Sequence, residues 1–245
     1  MKSKRQLNHD AVELRKELGF NTTTPLDLLN VVLEKFPNIT IIFHPISKNT
    51  CGICINKDNV QIICINSDMN LSRRRFTLAH ELYHLLIEKS FKLFVCNDNN
   101  ESDSEKEANI FASFLLMPDE ALKTYLKNNK IKKLNLDNII NLEQYFQIGH
   151  QAMLIRLKQD NYITELELQG YMNKYVMDEA ANRGFSTELY DFPQKSEYIV
   201  LGKYIKLVNE LAQKDLISSG EQQELLSDAF RLDLIYNMND GDIDE

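Results

Sequence analysis

The stretch "FTLAHELYHLL", residues 76–86, constrains this chain more than any other part of it. On a helix, four residues advance about 400°, so His80 and His84 stand one turn apart on the same side. They lie among Leu78, Leu82, Leu85 and Leu86, which form the apolar face of that helix. Two imidazoles buried there without partners would be costly. One divalent cation satisfies both, with each ring nitrogen about 2.0–2.1 Å away. A surface helix that carries His and Glu by chance is the plain alternative, and the apolar surroundings argue against it.

Glu81 stands about 100° round from His80. That is too far round for an equal third ligand, but it lets the carboxylate reach a water held at the cation. There it can act as general base and then pass the proton to a leaving amine. A hydrolytic zinc needs a third protein ligand and an open fourth position. No third histidine of the HExxHxxGxxH kind follows, because His84 runs into "LLIEKSF". His9 falls in a first helix, His44 at a strand end and His150 in a turn. A downstream carboxylate is the natural candidate. "DSEKEANIF" offers Asp103, Glu105 and Glu107 at the start of a helix. Glu107, in line with Phe111, is the preferred ligand, and Glu105 is the alternative.

Around this pair the periodicities predict an α+β chain. Residues 7–19 read as a helix stopped by Gly19, and 22–36 as a second helix with Leu26, Leu29, Val32, Leu33 and Phe36 on one side. "NITIIFHP" is a strand cut by Pro45, and 52–66 holds two strands around "NKDN". This gives a small, mostly antiparallel sheet with helices on both sides. The metal helix is predicted over 71–90, a loop over 91–104, then "EKEANIFASFLLMP" as a helix broken at Pro118 and resumed by "DEALKTYLKNN". Residues 135–160 have the outline of a helix-turn-helix, turning near Gly149. Three helices separated by Gly184, Pro193 and Gly220 follow, and the acidic end "NMNDGDIDE" is expected to be disordered. The weakest join lies near 165, dividing a core (1–164) from a helical C-terminal extension (165–245).

Composition narrows the partners. A formal net charge of −8 makes general nucleic-acid binding unlike this chain, since phosphate neutralisation needs concentrated Lys and Arg. A protein ligand with a basic face fits better. No apolar run approaches the roughly 20 residues needed to span a bilayer. The start carries charges where a signal peptide needs its apolar stretch, so the chain is read as cytoplasmic and its four cysteines as thiols. Cys51 and Cys54 form a CxxC without a second one to complete a metal site, and read as buried strand residues. Arg73, Arg74 and Arg75 are expected to pair with acidic neighbours rather than hold substrate. Lys130, Lys132 and Lys133 read as a solvated loop.

"RRRFTLAHELYHLL" followed by "EKEANIFASFLLMP", with "ICIN" ahead of them, resembles the ImmA/IrrE family of zinc metallopeptidases over roughly residues 7–160. The resemblance implies a helix-rich, zincin-like core of the gluzincin kind. It makes His80, His84 and Glu107 the zinc ligands and Glu81 the catalytic base. It further implies a zinc endopeptidase of narrow specificity, cleaving a helix-turn-helix repressor of a phage or mobile element. "YFQIGHQAMLIRL" resembles the family's helix-turn-helix-like segment, with Ile148-Gly149-His150 where Val-Ser is usual, which argues against reading DNA. Tyr83 stands where Gly is frequent and is expected to narrow the cleft. The competing reading is a non-catalytic, antitoxin-like regulator that acts by holding a partner through residues 165–245.

Overall fold

Two runs of β-branched residues, β1 (Ile39–His44) and β3 (Val60–Asn66), lie side by side and parallel, with Ile41 opposite Ile63. The computed structural model describes residues 2–88, 93–97 and 102–240, of which 93–97 and 237–240 by backbone alone. β2 (Thr50–Lys57) returns to β3 antiparallel through a tight turn in which Asp58 and Asn59 take positive φ. β4 (Leu93–Asn97) adds to the free edge of β2, and β5 (Ile199–Gly202) adds antiparallel to β1. The strand order is β4-β2-β3-β1-β5, so the sheet is mixed and mostly antiparallel, as the sequence predicts.

The wholly buried side chains of Ile39, Ile41, Ile63 and Ile65 share one core with Leu78, Ala79 and Leu82 of α3 (Leu71–Leu82). α1 (Lys4–Glu17) and α4 (Asp103–Leu116) pack on the same core through Leu7, Ala11, Phe111 and Leu115. α1 begins earlier than its apolar pattern shows, because Ser3 and Gln6 form a capping box. α2 (Leu28–Lys35) is shorter than expected, starting only after Pro25.

α5 (Asp119–Asn128) resumes after Pro118, and Arg156 secures that break. Its guanidinium donates to Asp119 at 2.6 Å, Asp160 at 2.5 Å and the Met117 carbonyl at 3.1 Å, over the ring of Phe114. Arg156 belongs to α7 (His150–Gln159), the second helix of the helix-turn-helix outline, and α6 (Leu136–Phe146) is the first. The turn between them is pressed onto the metal helix. A Cβ on Gly149 would stand 2.7 Å from Ser72 Oγ at the start of α3, so glycine is what that approach permits.

The expected acidic tail is helical up to Asp240 in α12 (Leu232–Asp240), and residues 241–245 lie outside the described residues. The loop expected over 91–104 contains β4, and its residues 91, 92 and 98–101 also lie outside them. The region beyond 165 holds α8 (Glu165–Met172), α9 (Val176–Asn182), α10 (Lys203–Gln213) and α11 (Ser219–Asp228) besides α12 and β5. β5 arises within a segment whose pattern suggested helix. It ends at Gly202, φ 85°, where a Cβ would meet the Ile39 carbonyl at 2.3 Å. Around it, Val200, Ile205, Val208, Leu226 and Ala229 make a small second core. Among the described residues, no helix is long and apolar enough to cross a membrane.

Candidate metal centre

α3 starts at an Asn70 cap, whose side chain accepts from Arg73 N at 2.9 Å. It does not run on to residue 90. After Leu82 it widens into a π turn (Tyr83–Ile87), closed by Glu88 N donating to Tyr83 O at 3.0 Å. His80, Glu81 and His84 are all buried there. The Nε2 atoms of His80 and His84 face each other at 3.1 Å. Glu105, on the first turn of α4, brings one carboxylate oxygen to 3.1 Å from His80 Nε2 and the other to 3.6 Å from His84 Nε2.

The outer nitrogens of both rings are occupied. His80 Nδ1 lies 3.0 Å from Asn109 Oδ1, and His84 Nδ1 lies 2.7 Å from the Glu88 carboxylate. Glu88 is itself held by Ser104 Oγ at 2.9 Å. An acceptor at each Nδ1 draws the ring proton there, which leaves two Nε2 lone pairs pointing at one another and at a carboxylate. Three such donors, within 4.8 Å of one another and buried, repel each other unless a cation lies between them. The donor set therefore fits a divalent metal, and two imidazoles with one carboxylate suit zinc. A carboxylate facing two lone pairs sits there at a cost that a cation between them removes.

The structure brings His80, His84 and Glu105 together and does not bring Glu107 to them. Glu107 leaves α4 on another side, where it accepts hydrogen bonds from the Tyr83 hydroxyl and the Lys2 backbone amide. The place beside the histidines expected of Glu107 is taken by Glu105, its alternative. Residues 105 and 107 are about 200° apart on a helix, so only one of them can look at α3's histidines. Tyr83, expected beside the cleft, is buried against Phe111 with ring centroids 5.4 Å apart.

Glu81 packs inward from the next position round the helix, against β2. A Cβ on Gly52 would lie 2.5 Å from Glu81 Oε1 and 2.7 Å from Thr77 Cγ2. The glycine of "CGIC" is therefore what makes room for this carboxylate. Its flanking cysteines are buried strand residues, and burial, followed by the Glu81 charge, pushes the Cys54 thiol well above its usual range. Sequence reasoning missed Gly52, Glu88 and Asn109. The legible signals were spacings: Glu88 is four residues after His84, and Asn109 four after Glu105.

Of the three arginines near the start of α3, Arg74 pairs with Glu197 at 2.5 Å, and Arg73 donates to Cys51 Sγ at 3.3 Å. Lys130, Lys132 and Lys133 are exposed.

Among curated proteins none matches the chain. One solved structure, a Mycobacterium tuberculosis transcriptional regulator, is similar at 16% identity with a TM-score of 0.44. The match covers 63% of this chain and 46% of that one, so this chain spans less than half of its length. The model of the IrrE N-terminal-like domain, a peptidase family, matches residues 34–158, about half of the chain and the part that holds the whole His-His-Glu cluster. The chain belongs to the ImmA/IrrE family of peptidases.

Proposed function

We propose that this protein is a zinc-dependent endopeptidase in which His80, His84 and Glu105 hold the metal and Glu81 is the general base. The observation that carries this reading is the 3.1 Å approach of two buried Nε2 atoms whose rings are fixed from behind, with the Glu105 carboxylate beside them. A divalent cation held by His80, His84 and Glu105 would supply Lewis acidity toward a water and a peptide carbonyl.

The chain's own groups do the rest. Asn109 and Glu88 hold the two rings in register, so that no side-chain reorganisation is needed at the moment of reaction. Glu81 is fully buried. It takes a proton from the attacking water as the new C–O bond forms. It then returns that proton to the amine nitrogen as the C–N bond breaks. Family resemblance extends the proposal to the substrate: a helix-turn-helix repressor of a phage or mobile element, cut in the cytoplasm. A helix-turn-helix repressor is the substrate to try.

Glu81→Gln keeps the shape of the base and removes its proton affinity. We expect that variant to retain zinc and to lose cleavage by at least about a hundredfold. A variant that cuts at the wild-type rate contradicts the mechanism. A variant that does not cut, yet still relieves repression in the cell, favours the partner-holding reading instead.

A further inference from the structure

The cavity that opens on His80 and Glu105 has a volume of about 930 Å³ and is walled by α3, α4, α7 and the segment 175–192. That is at the upper end of ligand pockets, roughly 300–1,000 Å³. Phe76 and Ile110 contribute from the helices that carry the metal cluster, Ile155 from α7, and Tyr175, Met177 and Phe192 from the far side. Tyr175 and Phe192 are 66% and 62% exposed, and both line this one cavity.

The far wall is tied to the metal helix. Ser72 N donates to Leu189 O at 3.1 Å, and the Asn70 side-chain amide donates to Tyr190 O at 3.2 Å. The Tyr190 hydroxyl donates to the buried Glu143 carboxylate at 2.8 Å. The strand of backbone that presents Phe192 is thus fixed to the first turn of α3 and to α6, and so is preorganised relative to His80. Tyr175, Met177 and Phe192 all lie beyond residue 158, where the family match ends.

We propose that this groove binds an extended polypeptide and selects a bulky apolar side chain within a few residues of the scissile bond, through Tyr175, Met177 and Phe192. The proposal rests on the peptidase reading above. Continuity decides the occupant: whatever fills the groove lies against His80 and Glu105 and against aromatic rings of the same cavity. An extended chain meets both needs, since its backbone passes polar lining groups such as Lys106, Gln151 and Asp191 while one side chain packs on the apolar ones. Duplex DNA does not fit. The face of α7 that carries His150, Gln151, Ala152 and Ile155 lines this groove, and the lining mixes Arg73 and Lys106 with Glu105 and Asp191.

The test uses full-length Glu81→Gln protein loaded with zinc, probed with an array of short unstructured peptides. The expected result is a set of bound peptides that share a Phe, Tyr, Leu or Met. Adding Phe192→Ala and Tyr175→Ala should weaken binding of that set by at least about tenfold, with zinc content and melting temperature unchanged. An array without apolar preference, or unchanged binding by the altered protein, overturns the proposal. Displacement of the peptides by duplex DNA, with steep salt dependence, overturns it too. Selective binding without cleavage by zinc-loaded wild type counts against the peptidase reading and leaves the groove standing. Cleavage without apolar preference does the reverse.

Discussion

Glu105 and Glu107 sit two residues apart on one helix, and the fold uses both for different ends. Glu105 completes the histidine cluster, while Glu107 accepts from Tyr83 and the Lys2 amide. The sequence placed a carboxylate on this helix but could not choose between them by burial. Glu105 and Glu107 are both buried, and so are Phe111 and Ala112 further along the helix, so burial does not tell which carboxylate meets the histidines. Gly52 was equally hidden, because a glycine in a strand looks like a weakness until the carboxylate packed on it is known. Gly52→Ala tests that packing. The new methyl would displace Glu81, and we expect kcat/KM to fall by roughly a hundredfold with zinc stoichiometry intact. Wild-type kcat/KM in that variant would show that Glu81 does not need the space.

At the scale of elements, the long helix predicted over 71–90 is an α-helix followed by a π turn. Apolar spacing cannot reveal that change, because Leu78, Leu82, Leu85 and Leu86 satisfy either winding. Its consequence is chemical: the backbone turns away at Glu88, whose carboxylate reaches back to His84 Nδ1. β5 was illegible for another reason. Ile199, Val200 and Leu201 continue the apolar pattern of the helix after them, and the open edge of β1 decides in favour of a strand. The helices α1, α4, α6 and α7, with β1 to β3, were legible because caps, glycines and periodicity agree there. Removing either ring support, by Asn109→Ala or Glu88→Gln, should weaken zinc affinity about 10- to 100-fold in a chelator competition. Unchanged affinity in both would mean that the rings are oriented by packing alone.

Over the whole molecule, residues beyond 165 complete the architecture rather than trail from it. They supply the fifth strand, the groove's aromatic wall and the Tyr190 hydroxyl on Glu143. Glu143 also accepts from His150 Nδ1 at 2.6 Å, and His150 Nε2 reaches the Tyr171 carbonyl at 3.1 Å. Burial lowers the His150 pKa, but the hydrogen bond and charge of Glu143 outweigh it, so the folded ring holds its proton above its ordinary value. A raised folded pKa stabilises fully below about pH 6.5 and less as pH climbs through the folded value. Urea midpoints should therefore fall as pH rises above about 6.5 in wild type and change less in Glu143→Gln. The same slope in both would remove this pair from the account. The central claim is the ligand set, and metal analysis reaches it most directly. Wild type and Glu107→Ala should each bind one zinc per chain, while His80→Ala and Glu105→Ala should bind almost none. Zinc lost from Glu107→Ala but kept by Glu105→Ala, or absent from wild type offered zinc in excess, would contradict it.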